Sequence, residues 1–291
     1  MRISASLIII AERACGSSSI LMIQRGSKAS FMPNVYVFPG GLAEPSDSSL
    51  EQTALRETFE ETGLLLDEKQ EIFTSQNLSQ KRSRIYQDPG SFNSLCSELG
   101  ISPPKLKPWS RWVTPSILPR TYDNTFFLVS ISEQAMLRSI NVLDKDEQGE
   151  VSKVLWKDVH EMLDEQSKGL FHLEVPQLYI LQELRDHGLE TVRELRPFHP
   201  QVIRKTAQEI ITIFPGDSEY EPNAPACKSP PQLHESLHSL YSGVHRARKM
   251  VQKKNPQIHS QNQNHSQSPE NNAQNQSHSR VEILRGPIAR L

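Results

Sequence analysis

The sequence predicts an α/β domain of about 200 residues with a polar C-terminal tail. Three observations carry this. β-rich runs lie on both sides of a helical stretch at 50–62, a Pro-Gly-Gly loop leads from the strands toward that helix, and apolar residues thin out beyond residue 215.

The elements follow in order. Ile3 to Ala11 and Ile20 to Gln24 are β-rich runs separated by Cys15-Gly16-Ser17-Ser18, a turn-like cluster. A third run, Val35 to Phe38, ends at Pro39-Gly40-Gly41. Leu50 to Thr62 has helical periodicity and stops at Gly63, which accepts the left-handed conformation a helix end needs. Residues 67–108 form a mixed insert, helix-like around Leu78–Tyr86 and Phe92–Leu99, with Pro103-Pro104 and Pro108 as breakers. Strand signals return at Phe126–Ile131 and Val151–Trp156. One helix follows from about Asp158, and another runs from Pro176 to His187, closed by Gly188. The domain is therefore expected to span 1–220, followed by a partly helical extension at 221–254. Residues 255–280 hold 17 Asn, Gln or Ser out of 26, so 255–288 is expected to be a disordered tail that cannot offset its ordering entropy.

Composition narrows the function. Of 291 residues, 36% are hydrophobic and 23% charged, and 32 Lys and Arg against 34 Asp and Glu leave a net charge of −2. That balance argues against a chain built to neutralise nucleic-acid phosphates, so no nucleic-acid partner is expected. The longest apolar run, Leu7 to Ala11, falls far short of the ~20 residues of a membrane span. The segment following Met1 reads as a strand rather than a secretory signal. Cys15, Cys96 and Cys227 have neither metal-site spacing nor an even count, which points to a reducing compartment rather than a disulfide scaffold.

The helix at 50–62 carries the chemistry. At about 100° per residue, Glu57, Glu60 and Glu61 crowd one face while Leu55, Thr58, Phe59 and Thr62 occupy the other, with Leu55 and Phe59 as buried anchors. Carboxylates so placed repel one another by a few tenths of a kcal/mol per pair. The helix macrodipole adds a further penalty near the C-terminus. A choice that breaks stability rules this consistently calls for a compensating cation, and oxygen ligands completed by water and phosphate are what Mg²⁺ takes. Arg56, one turn before Glu60, can pair with it and fix its rotamer. A solvated acidic face is the common reading of a charge run. Here the frame, Phe38-Pro39-Gly40-Gly41 and then Arg-Glu-x-x-Glu-Glu-x-Gly, points elsewhere.

That frame resembles the Nudix box, G-x5-E-x7-R-E-U-x-E-E-x-G-U with U apolar. Arg56, Glu57, Glu60, Glu61, Gly63 and Leu64 match its second half, and Thr58 stands where an apolar residue is usual. Counting forward from Gly41 puts Asp47 at the first acidic position; counting back from Arg56 puts Ser48 there, so the loop carries one extra residue. The resemblance implies an α/β/α sandwich that hydrolyses a nucleoside diphosphate linked to another group. It implies Glu57 and Glu61 as principal Mg²⁺ or Mn²⁺ ligands, Glu60 as a further ligand or the residue that orients the attacking water, and Arg56 as the orienting ion pair. Gly40 and Gly41 would admit metal and diphosphate close to the backbone. A general base outside the box would be Glu147 or Glu150, just before the Val151–Trp156 strand.

A narrower resemblance covers most of residues 1–220. Gln24-Arg25-Gly26, Phe31-Met32-Pro33, Trp112-Val113-Thr114-Pro115, Arg120-Thr121-Tyr122-Asp123, Phe126-Phe127, Glu174-Val175-Pro176 and Phe214-Pro215-Gly216-Asp217 look like the peroxisomal coenzyme A diphosphatase branch of this family. The implied reaction splits CoA or acyl-CoA into 3′,5′-ADP and (acyl-)4′-phosphopantetheine. The alternatives are hydrolysis of NADH, ADP-ribose or capped RNA, or a module that senses nucleotide without cleaving it. Ala289-Arg290-Leu291 fits the small–basic–Leu form of the Ser-Lys-Leu peroxisomal address, so an import receptor is the expected partner and the peroxisome the expected compartment.

Other residues invite plainer readings. Arg25, Lys28, Arg111 and Arg120 could meet the phosphates of CoA, with Arg25 and Arg120 the leading candidates, although a surface salt bridge is the ordinary fate of such residues. Trp109 and Trp112 are read as packing rather than adenine stacking. His234, His238 and His245 suit one helix face without forming a zinc site. Arg246, Arg248, Lys249, Lys253 and Lys254 read as a solvated linker.

Overall fold

The structure is a computed structural model that describes residues 1–29, 32–73, 78–116, 118, 120–140, 143, 150–189, 197–205, 209–214, 217, 219–220, 244–250 and 280–285. Strands β1 (Arg2–Glu12), β2 (Ser18–Arg25), β3 (Tyr36–Val37) and β4 (Gly40–Leu42) lead into helix α1 (Leu50–Thr62). A small hairpin, β5 (Leu65–Leu66) and β6 (Ile72–Phe73), precedes the insert helices α2 (Leu78–Gln87) and α3 (Phe92–Glu98). Strands β7 (Lys107–Val113) and β8 (Tyr122–Ser132), helix α4 (Glu133–Ser139), strand β9 (Val151–Asp158) and helices α5 (Val159–Ser167) and α6 (Val175–His187) complete the main body. Five further strands follow: β10 (Pro197–Phe198), β11 (Gln201–Lys205), β12 (Glu209–Ile213), β13 (Val244–Met250) and β14 (Arg280–Arg285).

The main sheet has eight strands in the order β10-β7-β8-β1-β2-β3, with β4 paired to β1 and β9 to β2. β1 runs parallel to β8 along its whole length, and it meets β2 only at Ile10–Glu12. Toward its N-terminal end β2 has diverged, and β4 takes the vacated side, pairing Ser4, Ala5 and Ser6 with Leu42, Gly41 and Gly40. This fork brings the Gly40-Gly41 backbone to one end of the sheet.

β1 is buried on both faces, so its near-continuous apolar run follows from its central place. Ala5, Leu7, Ile9 and Ala11 pack with Leu55 and Phe59 of α1 and with Ile85, Phe92 and Leu95 of the insert. Ile8 and Ile10 pack with Met162 of α5 and Leu178, Ile180 and Leu181 of α6. The result is helices, sheet, helices: the expected α/β/α sandwich, with the insert forming part of one helical layer rather than an appendage. On the α6 side, Trp112, Tyr179, Phe198 and Phe214 form an aromatic group with centroid separations of 4.4 Å for Trp112–Phe198 and 5.6 Å for Tyr179–Phe214.

Four sequence expectations need correction. The insert at 67–108 overruns into β7, because Pro108 sits where the β7–β8 register shifts, and a bulge tolerates a missing N–H that a regular ladder would not. α4 and β10 to β12 are additional elements, short and without the periodicity that marks longer ones. Within the extension at 221–254, residues 244–250 form a strand, so His245 and the basic residues Arg246, Arg248 and Lys249 belong to a sheet; His234, His238, Lys253 and Lys254 lie outside the described residues. Residues 280–285, placed in the polar tail, pair antiparallel with β13 through the short run Arg-Val-Glu-Ile-Leu-Arg. β11 to β14 make a second, four-stranded sheet. Among the described residues no helix is long and apolar enough to cross a membrane, and Cys15 and Cys96 are free thiols; Cys227 lies outside them.

Candidate active site

α1 is well bounded. The Ser49 hydroxyl accepts the Gln52 N–H at 3.2 Å, and Gly63 ends the helix at φ 76°, ψ 5°, returning its N–H to the Phe59 carbonyl at 2.8 Å. On the inner face Phe59 is fully buried and Leu55 nearly so. Thr58 and Thr62 are tolerated there because each hydroxyl donates to the carbonyl one turn back, Ala54 O at 2.7 Å and Thr58 O at 2.6 Å. The hydroxyl at 58 therefore leaves no buried polar group unpaired.

Arg56 organises the outer face. Its side chain is buried, and all five of its N–H donors are used. Nε and Nη2 grip the two oxygens of Asp47 at 2.9 Å each, and Nη2 also reaches the Leu42 carbonyl at 2.9 Å. Nη1 donates to Glu57 at 3.0 Å and Glu60 at 2.9 Å. The ambiguous loop count is thereby settled in geometry: Asp47 supplies the carboxylate, while the Ser48 N–H bonds to Gln52 at 2.9 Å. Burial opposes ionisation of Asp47, but the Arg56 guanidinium, the Glu44 N–H and the Thr53 hydroxyl outweigh it and hold its carboxyl below the usual range.

The other carboxylates have the opposite character. Burial pushes Glu57 up to about 7, against the pull of Arg56 and with the help of Glu60. Burial raises Glu60 as well, with Arg56 opposing. Glu61 is raised well above the carboxylate range by burial and by the charge of Glu57, although the Gly40 N–H donates to it at 2.8 Å. Gly41 faces Glu57 so closely that a Cβ there would overlap the carboxylate.

The remaining predicted residues gather at the same end of the sheet in part. Arg25 ends β2 opposite Val151, and the Gly26 N–H donates to the Glu150 carbonyl at 2.7 Å. Arg25 favours ionisation of Glu61, while Glu150 disfavours it at both Glu60 and Glu61, so both side chains lie within electrostatic reach of the helix. Glu147 and Phe31 are outside the described residues. Arg120 is exposed just before β8, and Lys28 is exposed after β2. Arg111 is committed to Asp123 through two bonds of 2.8 and 2.7 Å. Trp109 and Trp112 are only 2% and 4% exposed, which leaves neither a face for adenine. Two site residues had no local signal in the sequence: Arg82 and Tyr86 of α2, both of which donate to the Glu60 carbonyl. Their i, i+4 spacing was the one available hint.

This donor set fits a hard divalent ion such as Mg²⁺ or Mn²⁺. The oxygens are crowded, the glycine opposite leaves room, and burial without a cation drives protons onto them. Among the described residues no three or more His, Cys, Asp or Glu side chains are already gathered so as to hold a metal ion by themselves. Water and phosphate oxygens would complete the shell, as is usual for Mg²⁺.

Comparison with known proteins agrees with this geometry. The nematode protein named putative nudix hydrolase 7 (Caenorhabditis elegans) is 30% identical over 229 residues, covering 75% of this chain and 74% of its own. The chain belongs to the Nudix hydrolase family. Residues 45–184 match the NUDT19 Nudix domain family. The acyl-coenzyme A diphosphatase NUDT19 of Xenopus laevis is 25% identical over 278 residues, covering 69% of this chain and 71% of its own. The crystal structure of a Nudix hydrolase from Alicyclobacillus acidocaldarius aligns with a TM-score of 0.53 at 25% identity, covering 63% of this chain and 90% of that one.

The raised carboxyls set a pH signature. A carboxyl that holds its proton more tightly in the folded than in the unfolded chain contributes stability below the unfolded value near 4.5, and that stability is lost as pH rises through the folded value, about 7 for Glu57. In EDTA the melting temperature of this Nudix domain is expected to fall between pH 5 and 8, by up to about 3 kcal/mol of stability from Glu57. Added Mg²⁺ or Mn²⁺, which binds the ionised groups, should restore more at pH 8 than at pH 5.5. An equal thermal shift at both values would refute the assignment of these carboxylates to a cation.

Proposed function

We propose that this Nudix hydrolase uses Mg²⁺ or Mn²⁺ to cleave the diphosphate bond of CoA and acyl-CoA, releasing 3′,5′-ADP and (acyl-)4′-phosphopantetheine, in peroxisomes. The observation that carries the reading is the agreement between the Arg56-centred carboxylate face and the match of residues 45–184 to the NUDT19 domain. The names of the vertebrate relatives, acyl-coenzyme A diphosphatases, support the substrate class.

In hydrolysis a water oxygen bonds to phosphorus as the bridging P–O bond breaks. A divalent ion held by Glu57, Glu60 and Glu61 would supply charge neutralisation of the diphosphate and acidify the attacking water. The chain does the rest. Arg56 locks Glu57 and Glu60 in fixed rotamers, and the Gly40 N–H orients Glu61, so the oxygens are preorganised before substrate arrives. Arg25 brings positive charge within electrostatic reach of Glu61, where the diphosphate would lie, and Glu150, just before β9, is the candidate to take the water's proton. Arg120, exposed at the same end of the sheet, offers a cation for a further phosphate.

The purified protein, given CoA, acyl-CoA, NADH, ADP-ribose and capped RNA with product masses read out, is expected to turn over CoA species fastest and only with divalent metal. Faster cleavage of ADP-ribose or NADH would overturn the substrate assignment; binding without cleavage would mark a sensor. Glu61→Gln keeps the shape and removes the charge. Its turnover should fall by about 10²-fold or more, equivalent to about 3 kcal/mol of transition-state stabilisation, whereas a near-parental rate in excess Mg²⁺ would remove Glu61 from the ligand set. Deleting Ala289-Arg290-Leu291, which lies outside the described residues, should leave activity in vitro intact and shift a tagged protein from puncta to the cytosol. Unchanged puncta would refute the peroxisomal address.

A further inference from the structure

We infer that Arg82 and Tyr86, both contributed by the helical insert, are positioning residues that set how tightly the α1 carboxylates hold their divalent ion. This rests on the reading that Glu57, Glu60 and Glu61 bind one.

The last carbonyls of a helix lack partners within it. At the end of α1 the Phe59 carbonyl is served by the Gly63 N–H at 2.8 Å. Were the helix to continue, the Glu60 carbonyl would take the N–H of Leu64; instead that group turns to the Thr62 hydroxyl at 3.2 Å. Two donors from α2 take its place. Arg82 Nε–H and the Tyr86 hydroxyl both donate to the Glu60 carbonyl at 2.6 Å. Four residues apart, they project from one face of α2 and converge on a single oxygen.

That oxygen belongs to the peptide joining Glu60 to Glu61. Holding it fixes the backbone from which both carboxylates spring. Each side chain is then tied at its far end, Glu60 to Arg56 at 2.9 Å and Glu61 to the Gly40 N–H at 2.8 Å. Backbone and tip are therefore both restrained, which is what a ligand pair needs to keep its bite when the ion is absent.

The charge of Arg82 adds a second effect. α1 has no basic residue in its own last turn, although that is where a helix dipole favours a cation and where this helix gathers its acids. Arg82 is 5% exposed and supplies from the insert the positive charge the helix end lacks. Burying a guanidinium is costly, and a hydrophobic residue would dock two helices more cheaply. The donor's placement on the ligand-bearing peptide is what a docking role alone leaves unexplained.

The test uses the full chain and Mn²⁺ alone, with free Mn²⁺ followed by electron paramagnetic resonance. Tyr86→Phe deletes one donor at almost constant volume; Arg82→Gln removes the charge; Arg82→Lys keeps it. The Mn²⁺ dissociation constant is expected to rise about 10-fold in Arg82→Gln and several-fold in Tyr86→Phe, within the range of about 10–100-fold for partners that orient metal ligands. Arg82→Lys should recover part of the loss. At saturating metal, KM for the best substrate of the panel should be unchanged. Parental Mn²⁺ affinity in Tyr86→Phe and in a folded Arg82→Gln, with only thermal stability reduced, would overturn the inference. Should Arg82→Gln fail to fold, Tyr86→Phe decides alone. Absence of Mn²⁺ binding by the parent, or undiminished binding by Glu61→Gln, would instead sink the metal assignment itself and this inference with it.

Discussion

A single buried guanidinium holds the carboxylate-bearing end of this domain together. Arg56 satisfies all five of its donors on a loop carboxylate, a carbonyl at the end of β4 and two helix carboxylates. Removing one partner from a buried charged network costs about 3–5 kcal/mol, because the others are left uncompensated. Lysine, with three donors around a point charge, could not reproduce the planar grip on Asp47. The residue thus does two things at once: the contacts that pin the loop before α1 also fix the rotamers of Glu57 and Glu60.

The fold serves this arrangement by opening its sheet at one point. β1 is sealed on both faces by apolar side chains, so it can lend an edge to β4 over three residues without losing its core packing. The glycines of β4 then face the carboxylates from the sheet side while the insert closes on the helix from the other. The carboxylates are thus carried by a helix and faced by a strand rather than held on long loops, which favours geometric precision.

Local features were legible in the sequence and convergent ones were not. The helix 50–62 was marked by its own periodicity and by Gly63, and the acidic face by spacing alone. Whether Asp47 or Ser48 met Arg56 depended on how the loop folds back, which counting residues does not reveal. Arg82 and Tyr86 act across more than twenty positions, on a backbone oxygen that no side-chain pattern records. Pro108 looked like a breaker because the bulge that accommodates it is a property of two strands together. β14 vanished into the average composition of its surroundings, since three apolar residues in a six-residue strand weigh little beside a long polar run.

The pairing of β13 with β14 has a consequence for how this chain tolerates change in length. β13 and β14 are neighbours in one sheet although residues 251–279 separate them in sequence. Closing a connection between paired strands costs entropy that in general grows only with the logarithm of its length, about 0.6 kcal/mol for each doubling. Expansion or contraction of the Asn- and Gln-rich run during evolution would therefore leave the sheet that brackets it nearly undisturbed.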